Sequence, residues 1–107
     1  MKLVHNETTT LAIGAAYTSA VMSCGSDFTL RVYSDQSSAT DGLAVRHTLV
    51  DGTVMATETF TYTTGSIRKL EVDSQTTHFQ VVYTNNGSTA QTIFQLSMLT
   101  DDDDGSG

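Results

Sequence analysis

Apolar and polar residues alternate with a period of two along much of the chain. Phe28, Leu30 and Val32 alternate with Thr29, Arg31 and Tyr33, and Leu43, Val45 and His47 alternate with Ala44, Arg46 and Thr48. Further on, Phe79, Val81 and Tyr83 alternate with Gln80, Val82 and Thr84, and Phe94, Leu96 and Met98 with Gln95, Ser97 and Leu99. Such a period puts one set of side chains on each face of a pleated strand. No segment of a dozen residues carries the 3.6 period of an amphipathic helix. Residues that tolerate turn geometry divide the chain at Gly14, Cys24-Gly25-Ser26-Asp27, Asp35 to Gly42, Asp51-Gly52, Thr64-Gly65-Ser66, Asp73-Ser74-Gln75 and Asn85-Asn86-Gly87.

The strands expected between these turns are Thr8–Ile13, Tyr17–Met22, Asp27–Tyr33, Leu43–Val50, Val54–Tyr62, Ile67–Val72, Thr77–Thr84 and Ala90–Leu99. Asp51-Gly52 predicts a tight hairpin, because both central residues of that turn type need positive φ. Asn85-Asn86-Gly87 predicts a second hairpin between the last two strands. About eight short strands joined by turns point to an all-β chain, an antiparallel β-sandwich of jelly-roll-like form. In this reading residues 1–9 are an N-terminal arm, 10–100 the sandwich domain and 101–107 an acidic, flexible tail.

Composition sharpens the picture. The chain has 107 residues, the size of one domain. Nineteen are threonine and eleven serine; threonine is stiff at its first side-chain torsion and suits a strand. The net charge is −7, and four of the twelve acids stand together as Asp101-Asp102-Asp103-Asp104. Only Arg68 and Lys69 among the basic residues are adjacent, which argues against a nucleic-acid partner. No apolar run approaches the ~20 residues that cross a bilayer, so no membrane partner is expected. Met1 to Glu7 lacks the apolar core of a secretory signal. Cys24 is the one cysteine, so the chain forms no internal disulfide.

Residue types that carry chemistry are present but scattered. His5, His47 and His78 lie far apart, with no metal-motif spacing. Cys24 has no basic neighbour in the sequence to lower its pKa. Asp35 and Asp41 flank one loop without matching a calcium-loop pattern, and Glu58 and Glu71 occupy polar strand positions. The glycines form no phosphate-cradling loop. The expectation is therefore no catalytic, cofactor or metal site. Tyr17, Tyr33, Tyr62 and Tyr83 could meet a sugar, although packing is the commoner use of such residues.

Four segments in order carry a resemblance. They are Thr10-Leu11-Ala12-Ile13-Gly14-Ala15-Ala16-Tyr17-Thr18, Ser34-Asp35-Gln36-Ser37-Ser38-Ala39-Thr40-Asp41-Gly42-Leu43, His78-Phe79-Gln80-Val81-Val82-Tyr83-Thr84-Asn85-Asn86-Gly87 and Ala90-Gln91-Thr92-Ile93-Phe94-Gln95-Leu96. In order and separation this set resembles a β-sandwich module of tailed-phage virion proteins. Members of that group carry arginine on both sides of the phenylalanine matching Phe79 and between those matching Phe94 and Leu96. They also have a tryptophan after the Asp-Gly turn. Here the arginine positions hold His78, Gln80 and Gln95, and Thr53-Val54-Met55 brings no tryptophan. The sheet pattern survives these departures.

The resemblance implies a structural protein of the virion, a capsid decoration (cement) or head-fibre subunit. It would be assembled in the host cytoplasm and bind capsid or tail proteins. A tail-associated module binding carbohydrate or a host receptor is the alternative. Small sandwiches often associate about a symmetry axis, so a homo-oligomer is expected, with a trimer favoured. The candidate partner contacts are Leu3 and Val4, which could extend a neighbour's sheet, with Tyr33 and Tyr83.

Overall fold

The structure is a computed structural model and describes residues 2–24, 27–86 and 88–100. The acidic tail at 101–107 lies outside the described residues. Among the described residues nine strands form two antiparallel sheets: β1 (Lys2–Glu7), β2 (Ala16–Thr18), β3 (Met22–Ser23), β4 (Phe28–Ser34), β5 (Ser38–Thr48), β6 (Val54–Phe60), β7 (Arg68–Val72), β8 (His78–Asn85) and β9 (Phe94–Thr100). The first sheet has the order β1-β9-β4-β7, and the second β2-β8-β5-β6 with β3 also on β8. β2 and β3 share one flank of β8 and together fill a single strand's place, so eight positions remain. Most connections cross from one sheet to the other. This is the double Greek key of a jelly roll, the fold class that the alternation predicts.

The alternation also sets the core. Phe28, Leu30 and Val32 of β4 and Phe94, Leu96 and Met98 of β9 face Leu43, Val45 and His47 of β5 and Phe79, Val81 and Tyr83 of β8, all buried. Between the layers, Phe28 stacks on Phe79 with ring centroids 4.1 Å apart. At the other end Tyr62, Tyr83 and Phe94 form a tilted aromatic cluster. Tyr62 lies in the β6–β7 connection, where its hydroxyl donates to the Ser66 carbonyl at 2.8 Å and accepts the Ser34 N–H at 3.2 Å. The buried ring is thereby satisfied at its polar end.

Three expectations need correction. Residues 8–13 are not a strand, and Lys2–Glu7, assigned to an arm, is β1 of this chain's own sheet, antiparallel to β9. A bulge between Leu3 and His5 shifts that register. The extra residue breaks the alternation and hides the strand from a period-two reading. Asn85-Asn86 does not open a hairpin, because β8 and β9 lie in different sheets. The crossing chain is tied down by side chains. Asn85 Nδ2 donates to the Ala12 and Thr89 carbonyls, while Gln91 bonds both the N–H and the C=O of Leu11. Tyr17–Met22 is split at Ser19, whose hydroxyl accepts the Val81 N–H at 2.9 Å and replaces a carbonyl in the ladder.

The turn-like segment before Leu43 is part of β5, which runs from Ser38 with a register shift opposite Asn85 and Tyr83. Asp41 takes a φ of 55° there, and Gly42 follows it. A Cβ at position 42 would sit 2.8 Å from the Ala39 carbonyl oxygen and 3.0 Å from that of Thr84. Only glycine lets the two strands approach so closely.

Asp35 closes the same end of the sandwich. Its carboxylate accepts the Thr92 hydroxyl together with the N–H groups of Thr92 and Ile93, at 3.0 and 3.1 Å. The Thr92 hydroxyl bond, with the two amide bonds behind it, lowers the Asp35 pKa from 3.8 to about 2. A depressed folded-state pKa contributes stability that is complete above the unfolded value and disappears as pH falls through the folded one. Asp35→Asn should therefore lower the melting temperature at pH 7. It should also flatten the acid limb between the two values, as seen by circular dichroism melts of both proteins from pH 7 to 2. A variant limb as steep as the parent's would remove Asp35 from the acid response.

Candidate functional site

Among the described residues the tip of the β5–β6 hairpin and β6 itself form a long exposed stretch. Asp51-Gly52 lies at its tip, in a connection of residues 49–53 rather than the expected two-residue turn: only Gly52 of the pair takes a positive φ, 91°, its N–H donates to the Leu49 carbonyl, and the Thr53 N–H donates to Asp51 Oδ1 at 2.9 Å. That bond lowers the Asp51 pKa below the ordinary carboxylate value. Leu49 and Val50 precede the turn, with Val54 and Met55 after it. Val50 is 76% and Met55 59% exposed, and the other two are also large exposed apolar residues. β6 is an edge strand with β5 on one side. Ala56 and Glu58 lie opposite the buried His47 and Val45, yet both stay exposed. The facing sheet therefore leaves even the inward side of β6 uncovered.

One polar contact pins this projecting strand. Glu58 Oε1 lies 2.6 Å from His47 Nε2, and the Gln75 N–H donates to His47 Nδ1 at 3.3 Å. A ring nitrogen that accepts cannot also carry the proton, so the proton sits on Nε2 and is donated to Glu58. Phe28 packs against the imidazole with centroids 6.3 Å apart. Both nitrogens are thus engaged in joining β5, β6 and the β7–β8 connection. Cys24 is buried beside Ser74 and the Thr76 carbonyl, and burial pushes its thiol pKa up, away from the reactive thiolate. Among the described residues no group of three or more His, Cys, Asp or Glu side chains comes together. No helix there is long and apolar enough to cross a membrane.

The four partner-contact candidates fall in different places. Leu3 is exposed on β1, opposite Leu99 at the edge of the first sheet. Val4 is half-buried at the bulge and packs against the core. Tyr33 is half-buried on β4. Tyr83 is a correction: its ring is fully buried and its hydroxyl donates to the Gln36 carbonyl, with desolvation pushing its pKa to about 12. It shares its register with Phe79 and Val81, which directs it into the core and leaves no surface for a partner. Leu49, Val50, Val54 and Met55 were not singled out by sequence. The available signal was their clustering around Asp51-Gly52, four large apolar residues at a hairpin tip. Comparison with protein families and with curated proteins finds no match for this chain.

Proposed function

We propose that this chain is a non-enzymatic structural subunit of a bacteriophage virion, a capsid decoration or head-fibre protein that self-associates and binds other virion proteins. The observation that carries the reading is the uncovered β5–β6 hairpin, with four apolar side chains at its tip and an unpaired strand edge alongside. Soluble monomers seldom leave such an edge open, since it invites pairing with another chain. The resemblance to phage virion modules supplies the setting, and a Thr- and Ser-rich acidic exterior suits a many-copy assembly. In the favoured arrangement three hairpins meet about a threefold axis and cover one another's tips.

Size-exclusion chromatography with light scattering tests the first half: the expected mass is three times that of the 11.5 kDa chain. Co-sedimentation with expanded phage capsids lacking decoration tests the second. A monomer at all concentrations that leaves every such capsid bare would overturn the proposal.

A further inference from the structure

The first sheet's outer face holds a feature unrelated to the hairpin. Tyr33 of β4 is paired with Gln95 of β9, and on its other side lies Ile67, just ahead of β7. One step along the same face, Arg31 stands between Ser97 and Lys69. Arg31, Tyr33, Ile67 and Gln95 line a cleft of about 150 Å³, room for about five water molecules at ~30 Å³ each. Two of the chain's five basic residues, Arg31 and Lys69, share this face, although its net charge is −7.

Lys69 is engaged, and so is Arg68 on the opposite face of β7. Arg68 donates to the Thr61 carbonyl at 2.8 Å, and Lys69 lies 3.5 Å from Glu71. Among the described residues Arg31 has no ion pair or hydrogen bond, and the Tyr33 hydroxyl has no partner. Gln95 makes one long bond, from Nε2 to Ser97 Oγ at 3.4 Å.

We propose that this cleft binds a sugar residue bearing a carboxylate. The guanidinium fork of Arg31 matches a carboxylate in bidentate geometry. The Tyr33 ring and Ile67 give apolar surface to one face of a pyranose, and the Gln95 amide offers both a donor and an acceptor to its hydroxyls. An extended acidic peptide fits less well. β4 is paired on both sides, so its main chain has no free groups to form the backbone bonds on which strand-adding peptides depend. A compact ligand read by side chains alone suits the site. The cleft and the hairpin lie on different sheets, so the assembly reading can fail without affecting this one.

The test is an amide-shift NMR titration of the full chain with methyl glucuronoside. Methyl glucoside, acetate and tetra-aspartate serve as separate probes. The glucuronoside should shift the amides of residues 31–33, 67–69 and 94–96 in a saturable manner, and added salt should weaken it. Arg31→Ala and Tyr33→Ala should each weaken binding at least ~10-fold, while Arg31→Lys should lose less because it keeps the charge without the fork. Both side chains are on the outer face, and unchanged circular dichroism would show that the fold is kept. Three results would overturn the proposal: no saturable shift with the glucuronoside, equal shifts with the glucoside, or equal shifts with acetate or tetra-aspartate.

Discussion

If the chain assembles through its hairpin as proposed, replacing Met55 with lysine should convert it to monomers. Met55 is well exposed beside Val54 at the start of β6, close to the Leu49–Val50 pair that enters the same turn. If three tips meet at an axis, each substitution puts three ammonium groups into one apolar contact. Burying unpaired charge is costly, and like charges at short range add to that cost. An interface centre of this kind typically loses at least ~2 kcal/mol when disrupted, about 30-fold in affinity. Light scattering over a concentration series reads the result directly. Met55→Leu retains the apolar surface and should retain the assembly. An oligomer that survives Met55→Lys would place the contact elsewhere, with the exposed Leu3 on the edge of the first sheet the next surface to examine.

Phe79→Ala should cost about 3–5 kcal/mol, the range for removing a buried aromatic ring. The ring is fully buried and stacks on Phe28 across the two layers. Phe28 is in turn the residue against which His47 packs, so the vacated space adjoins the imidazole that pins β6. Natural domains hold only about 5–15 kcal/mol in reserve. Each kcal/mol corresponds to roughly 4–8 °C in a domain of this size, so a fall of at least ~12 °C is expected in a thermal melt. Urea unfolding should show a lower midpoint with an unchanged slope. A loss below ~1 kcal/mol would mean that the Phe28–Phe79 stack does not hold the sheets together.

The sequence made the interior strands legible because burial on one face imposes strict alternation. β4, β5, β8 and β9 show it, and their apolar registers are the ones found in the core. The edges followed other rules. β1 was concealed by a bulge, which adds one residue and reverses the side-chain alternation beyond it. β6 has no buried face to enforce a pattern, so polar Thr57 and Thr59 and apolar Val54 and Met55 all stand exposed. Asn85-Asn86 has the composition of a hairpin turn, yet the Asn85 amide spends its hydrogens on the Ala12 and Thr89 carbonyls in a crossover. A local turn signal does not carry the identity of the next strand's sheet. The Tyr33 cleft was out of reach for a related reason. Residues 31, 67 and 95 become neighbours only through two cross-strand registers.

The placement of β9 between β1 and β4 also bears on how the protein folds. β9 is an interior strand, so the first sheet cannot close until β9 has been added. Among the described residues β1 pairs with β9 alone, some ninety residues downstream, and the Lys2–Thr100 pair joins opposite ends of them. Folding is thus limited by distant strand pairing, which puts it in the slow, millisecond-to-second class of topologies. Truncation anywhere within β9 should leave a chain that never acquires protease resistance.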